Sequence, residues 1–415
     1  MIAMLKNALK PTLLKKNLLI ALTGTGLAQL IHLGTTPIIS RIFEPEYFGK
    51  FALFNSLLGV ITAFSLFKMD LAIMSAEDDE IHTFKKIIFK LGYITAFLTL
   101  VFFLLHLLFR DLNLAYLFLA IAIIPSNKFW TYKSIQNRLG NYKRLSIGKI
   151  IENITNAFFS ISFGILGLKE FGLIFGKVLG LFSNLLFLKD KSEIKVSKNQ
   201  KELMNKYKEF PKYSFPGEIL GHLNVNASVF IFAYLFSPVE VGFIGLTTRV
   251  LSMPVNFISV TFCDVFKQKA MSDYKTTGEF ETIFVKFFFM LAFISISMIS
   301  VIYFFSEDLF VILFGDKWLK AGTYAKYLCF LYAIRLIVGS LAYSFEINKK
   351  NHWIFIFQIA YLLIGVSSLL ISYSLTNDDI FAIKTYSYSL ASIYLMQTLF
   401  AYINARNVSK GLSNG

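Results

Sequence analysis

Runs of about twenty apolar residues, each closed by a short stretch rich in Lys, Arg, Pro or Gly, recur along this chain from residue 17 to residue 404. A helix rises ~1.5 Å per residue, so each run is long enough to cross a hydrocarbon layer ~30 Å thick. The pattern predicts an all-α, polytopic membrane protein. Its twelve transmembrane helices lie over 17–42, 47–74, 84–109, 112–135, 145–167, 171–189, 213–236, 240–266, 282–305, 320–345, 353–374 and 379–404.

The connections between these runs alternate in charge. One set contains Lys6, Lys10, Lys15 and Lys16, then Lys85 and Lys86, the basic cluster from Lys128 to Arg144, and the lysines from Lys189 to Lys212. It continues with Lys267, Lys269 and Lys275, with Lys349 and Lys350, and with Arg406 and Lys410; the other set holds only Arg110, Lys169, Lys317 and Lys320. The positive-inside rule places the first set, and with it both termini, in the cytoplasm. The basic, mildly amphipathic opening MIAMLKNALKPTLLKK leads into a retained helix, so no cleavable signal peptide is expected.

The longest inner connection, 190–212, is Lys-rich and lies mid-chain, dividing an N-lobe (1–189) from a C-lobe (213–415). An internal repeat supports the division. In SRIFEPEYFGKFALF and AYLFSPVEVGFIGL, Phe43, Pro45 and Gly49 match Phe236, Pro238 and Gly242. Each F-x-P-x-x-x-G sits in the outer turn between the first two helices of its half, where Pro ends the first helix or starts the second and Gly permits a close turn or close packing. Pro45, Gly49, Pro238 and Gly242 are therefore expected to be hinge or packing corners. Six helices per half keep the halves parallel, an architecture in which transporters bind substrate between the repeats.

Composition narrows the function. The chain is 55% hydrophobic and 16% charged, against about 25% charged in soluble domains, so the apolar surface exceeds what a globular core absorbs. A net charge of +15 would suit a nucleic-acid partner, but the basic residues cluster between membrane segments and none is expected. Cys263 and Cys329 lie in or beside apolar segments, and the five His have no metal-ligand spacing. No disulfide, metal or cofactor is expected, and no phosphate-binding glycine loop appears. The acidic cluster EDDE, 77–80, reads as a solvated loop.

Ionisable groups within the apolar runs carry the remaining signal, because each costs ~2.5–3.5 kcal/mol at mid-membrane unless it meets a partner or a cavity. Arg41, Lys50, Lys68, Lys149 and Lys384 lie near helix ends and are expected to snorkel or pair, Lys149 with Glu152 three residues on. Arg249 and Arg335 are deeper. Arg249, Ser252, Asn256 and Ser259 form one stripe; Thr25, Gln29, His32 and Thr36 form another; Arg335, Gly339, Ala342 and Glu346 make a small-or-polar face. Such stripes line a cavity or bond neighbouring helices. With Lys177 and Lys326 entering from the outer side, cations exceed the deep acids Asp70, Glu152, Glu218, Asp264 and Glu346. A net-positive cavity suits an anionic substrate such as a lipid phosphate.

Several stretches resemble the Wzx-type polysaccharide repeat-unit flippases of the multidrug/oligosaccharidyl-lipid/polysaccharide exporter superfamily. They are AQLIHLGTTPIISRIFEPEYFGKFALF with FKMDLAI, QNRLGNYKR, FPKYSFPGEIL with VGFIGLTTRVLSMPVNFISV, and FGDKWLKAGTYAKYL. The resemblance implies two six-helix lobes forming a V around a cationic lumen. It implies a transporter, not an enzyme, that moves undecaprenyl-pyrophosphate-linked oligosaccharide from the cytoplasmic to the outer face of the bacterial inner membrane, as in O-antigen and lipopolysaccharide synthesis. A polymerase and a chain-length regulator of the same pathway would be partners besides membrane lipids. The substrate-binding residues expected on this reading are Arg249, Arg335, Lys177, Lys326, Ser252, Asn256, Gln29 and His32. A cation-coupled drug exporter of the same superfamily and a membrane-embedded polymerase or glycosyltransferase are the competing readings. The first helix lacks an acid and no carboxylate cluster lies at the outer interface, which disfavours both.

Overall fold

The computed structural model describes residues 11–109, 114–189, 199–348 and 350–413, and the only regular elements among them are helices. In chain order these are α1 (Pro11–Ile42), α2 (Pro45–Leu66), α3 (Met69–Ser75), α4 (Ile81–Phe109), α5 (Phe118–Arg138), α6 (Tyr142–Ile165), α7 (Lys169–Leu188), α8 (Gln200–Lys206), α9 (Phe215–Leu235), α10 (Pro238–Thr277), α11 (Glu281–Phe314), α12 (Leu319–Leu341), α13 (Ser344–Ile347), α14 (His352–Thr376) and α15 (Asp379–Ser413). They form two compact units, Met1–His222 and Leu223–Gly415.

Long helices overlie all twelve expected segments, but among the described residues nine are both long and apolar enough to cross a membrane. α6 and α15 have the length without the hydropathy, so a count of twelve spans is not reached on that criterion. α10, at 40 residues, rises ~60 Å and runs well past a ~30 Å core. Phe293 and Phe304 of α11 are 74% and 72% exposed, the inverted pattern of a lipid-facing helix. One expected span is corrected. Residues 47–74 are not one helix, because Phe67 and Lys68 adopt left-handed conformations (φ 51° and 58°) that separate α2 from α3.

Both repeat corners have the local form expected of them. Glu44 and Ser237 are extended cap residues, and Pro45 and Pro238 begin α2 and α10, where a missing N–H costs nothing. Gly49 and Gly242 are buried one turn further on.

The acidic cluster is the second correction. Glu80 is only 2% exposed. Its carboxylate accepts hydrogen bonds from the Glu77 N–H (2.8 Å), the Tyr207 hydroxyl (2.8 Å) and Lys206 Nζ (2.7 Å). The second half of the mid-chain connection is therefore docked: Leu203 of α8 and Tyr207 just after it enter a core with Met69, Ile73, Phe84 and Leu188. Residues 190–198 lie outside the described residues. Burial alone would raise the Glu80 pKa, but hydrogen bonds from Lys206, the Glu77 N–H and Tyr207 outweigh it and hold the group at about 2 instead of 4.5. A depressed carboxylate stabilises the docked form above the free pKa and ceases to as pH falls from about 4.5 towards 2. Amide exchange over 200–207, corrected for intrinsic rate, is expected to be flat from neutral pH to that window and to accelerate within it. In Glu80→Gln it is expected to be fast already at neutral pH.

Candidate functional site

In the N-terminal unit the site is built by the crossing of α6 and α7. Gly172, Gly176 and Gly180 recur every fourth residue along α7, so one edge of that helix is bare backbone. A methyl at Gly180 would stand 2.8 Å from the Glu152 carbonyl oxygen, and one at Gly176 2.8 Å from that of Asn156. This approach brings α7 side chains onto the α6 carboxylate at Glu152. Lys177 Nζ lies 2.9 Å from Glu152 Oε1, Lys149 Nζ 3.0 Å from Oε2, and the Asn184 amide donates to Oε2 at 2.8 Å. The pairing expected of Lys149 and Glu152 is present. Lys177 lines a cavity, as expected, but it does so as the partner of a buried carboxylate, so its charge is compensated there.

Lys50 and Lys68 follow the same rule. Lys50 meets Glu46 at 2.7 Å and Glu170 at 3.4 Å, and Lys68 meets Glu218 at 2.7 Å. A cavity of about 250 Å³ in this unit is lined by Lys149, Glu152, Lys177, Glu218, His222 and Trp130 among others.

In the C-terminal unit Lys320 pairs with Asp379 at 2.8 Å and Glu240 at 3.5 Å, but three other cations meet aromatic rings instead. Arg335 of α12 points into a cage of tyrosines: Tyr332 one turn back on the same helix, Tyr361 of α14, and Tyr386 and Tyr394 of α15. The guanidinium lies 5.8 Å from the Tyr332 ring centroid, and the Tyr361 and Tyr394 ring centroids are 4.1 Å apart, the rings tilted by 31°. The Tyr361 hydroxyl is held by Gln397. Lys326 lies 5.4 Å from the Tyr303 ring and Lys384 4.5 Å from that of Tyr327. Among the described residues none of these three cations has a carboxylate within ion-pairing distance. An aromatic face attracts a cation without neutralising it, so each keeps its full charge for an anion. The space left around Arg335 is about 20 Å³, room for a water and little more.

The other predicted positions are less converged. Arg249 is half-buried on α10, where its carbonyl accepts from Ser252. Asn256 is exposed, and the Ser259 hydroxyl is committed to the Leu336 carbonyl of α12, an interhelical bond rather than a free polar lining. Gln29 and His32 are half-buried on α1, and the His32 carbonyl accepts from Thr35 and Thr36. The face from Arg335 to Glu346 is broken, since α12 ends at Leu341 and Glu346 is exposed on α13. Sequence reasoning missed the glycine edge of α7, although G-x-x-x-G-x-x-x-G is legible in GLIFGKVLG. It also missed the tyrosine cage, whose members come from three helices.

The sequence matches a family model described as polysaccharide biosynthesis protein over residues 38–323. No curated protein sequence matches it. The fold is similar to that of lipid II flippase MurJ in an inward closed conformation, with a TM-score of 0.72 at 16% identity, covering 94% of this chain and 90% of that one. It is also similar to a MATE transporter in complex with MaD3S, with a TM-score of 0.55 at 13% identity, covering 94% and 95%.

Proposed function

We propose, on the premise that this chain belongs to the polysaccharide biosynthesis protein family, that it is a flippase for polyprenyl-pyrophosphate-linked oligosaccharide. It would carry the lipid-linked glycan from the cytoplasmic to the outer face of the bacterial inner membrane by alternating access. The observation that carries this reading is the set of membrane-embedded cations in the C-terminal unit, Arg335 above all, that rest on tyrosine rings and have no carboxylate partner among the described residues. A diphosphate linkage brings about two negative charges, and in a low-dielectric setting an uncompensated guanidinium holds an anion far more strongly than in water. Arg also binds phosphate oxygens in a two-point geometry that Lys does not offer. Arg249 on α10 adds a second guanidinium in the same unit.

Transport outward needs no hydrolysis. With the cytoplasm negative, moving an anion outward is favourable by roughly 2.3 kcal/mol per charge per 100 mV if it crosses the full field. The apolar exterior of helices such as α11 keeps the isoprenoid chain in lipid while the headgroup crosses through protein.

The experiment is deletion and complementation in the native host. Deletion is expected to remove surface glycan and to accumulate the lipid-linked oligosaccharide on the cytoplasmic side. The wild-type gene restores export, and Arg249→Ala restores it poorly at equal protein level. Normal export in the deletion strain overturns the reading.

A further inference from the structure

We propose that the exposed face of α4 is a binding site for an anionic glycerophospholipid of the cytoplasmic leaflet, held by Lys86, Lys90 and Lys128. Such a lipid is bound whatever the chain transports, so the site stands apart from the cations assigned to the diphosphate.

Helical spacing makes the face. Lys86, Lys90, Tyr93 and Phe97 follow one another by four, three and four residues, so they form one stripe along α4. All four are exposed, Tyr93 at 50% and Phe97 at 65%. Phe84, Ile87 and Ile88 on the other side of the helix are buried. Past Tyr93 the exposed residues are apolar, among them Phe97, Leu98, Leu104 and Leu105. A cationic foot below an apolar shaft matches an amphiphile, with its headgroup at the foot and its chains along the shaft.

Depth separates this face from an ordinary charged helix end. The apolar segment Ile81–Leu107 has 27 residues and rises ~40 Å, about 10 Å more than a hydrocarbon core. Lys86, ~8 Å above Ile81, therefore lies near the rim, while Lys90 at ~14 Å and Tyr93 at ~18 Å lie inside it. Lys128 reaches Tyr93 from α5. Its ammonium donates to the Tyr93 hydroxyl at 2.7 Å and stands 5.3 Å and 5.0 Å from the Phe89 and Tyr93 ring centroids. A lysine on a lipid-facing surface ordinarily swings its ammonium to the rim. These contacts hold Lys128 below it, where a charge is costly unless an anion accompanies it.

The charge is not compensated by the protein. Among the described residues Lys86, Lys90 and Lys128 have no carboxylate within ion-pairing distance. The acids just before α4 are engaged elsewhere, Glu77 and Glu80 by Lys206 and Asp78 by Arg138. A lipid phosphate at this face meets three ammonium groups and no acid, and basic clusters at the cytoplasmic end of a membrane helix draw anionic lipids. A zwitterionic lipid brings its own cation to the same place and gains less.

Tyr93 adds a neutral donor. Its hydroxyl oxygen accepts from Lys128, and a phenol both donates and accepts. Its own O–H is therefore left to donate to a phosphate or ester oxygen of the lipid.

The test is native mass spectrometry of the full chain in detergent, titrated with phosphatidylglycerol or with phosphatidylcholine of the same acyl chains. Wild type is expected to bind phosphatidylglycerol at least about tenfold more tightly than phosphatidylcholine. At ~1 kcal/mol per lysine, Lys128→Gln is expected to weaken phosphatidylglycerol binding about fivefold, and Lys86→Gln with Lys90→Gln about 25-fold. Neither is expected to change phosphatidylcholine binding. Tyr93→Phe keeps all three charges and is expected to weaken phosphatidylglycerol binding as well, because it removes the hold on Lys128. Lys267→Gln with Lys269→Gln, a pair on α10, is expected to leave it unchanged. Melting temperatures equal to wild type identify a binding role rather than a structural one. Equal affinity for the two lipids, wild-type phosphatidylglycerol binding in both lysine variants of this face, or the same loss in the α10 pair overturns the proposal. So does undecaprenyl diphosphate that displaces phosphatidylglycerol at equal concentration and depends on the same three lysines, which assigns the face to the carrier lipid instead.

Discussion

Arg335→Ala is expected to reduce glycan export by roughly 10- to 100-fold, from the ~1.5–3 kcal/mol of a hydrogen bond to a charged group. The protein is expected to insert and accumulate normally, because the arginine leaves behind no carboxylate that depends on it: its neighbours are the rings of Tyr332, Tyr361, Tyr386 and Tyr394. Those rings are already held by one another and by Gln397. Arg335→Lys is expected to retain part of the activity, since it keeps the charge and loses the two-point geometry. The measurement is surface glycan together with lipid-linked intermediate, both normalised to protein level. Full export by the alanine variant would reduce Arg335 to a packing role. Loss of the protein itself would point to the same conclusion.

The opposite result is expected at Glu152. Here the side chain is 2% exposed and serves Lys149, Lys177 and Asn184 at once. Glu152→Ala leaves two ammonium groups facing each other across a cavity at the α6–α7 crossing. Breaking a buried pair from one side costs ~3–5 kcal/mol, so the variant is expected to unfold in detergent at markedly lower temperature and to accumulate poorly. The double variant Glu152→Leu with Lys177→Met is expected to recover much of the stability, because an apolar pair of similar size replaces the charges. Melting temperature in a mild detergent, compared across the three proteins, is the measurement. A single variant as stable as wild type would show that the cluster is well hydrated and contributes little.

The contrast between these two sites bears on how much could be read in advance. The all-helical membrane architecture was legible because bilayer crossing imposes a local rule: about twenty apolar residues, with backbone groups satisfied inside each helix. The corners at Pro45 and Pro238 were legible for the same reason, since helix starts depend on the few residues around them. The pairing of Lys149 with Glu152 is a three-residue spacing on one helix, and it too could be read directly.

Partners from distant segments could not be read in this way. Lys177 looked like a lone cation because its carboxylate lies 25 positions away on α6, reached only because glycines on α7 let two backbones approach. EDDE looked like a solvated loop because the groups that bury Glu80, Lys206 and Tyr207, lie far along the chain on the docked connection. The break after Leu66 was hidden because left-handed conformations at Phe67 and Lys68 carry no Gly or Pro to announce them.

Features that depend on neighbours along the chain were thus readable from residue order: helical spans, their charged ends, the repeated corners and the presence of deep cations. Which of those cations are neutralised was set by the packing of distant segments. Lys50, Lys68, Lys149 and Lys177 face carboxylates, while Arg335, Lys326 and Lys384 face aromatic rings. The physical reason is that the field at a charge falls off over a few ångströms of packed protein, and which groups stand within that reach is set by how helices cross, not by their order in the chain.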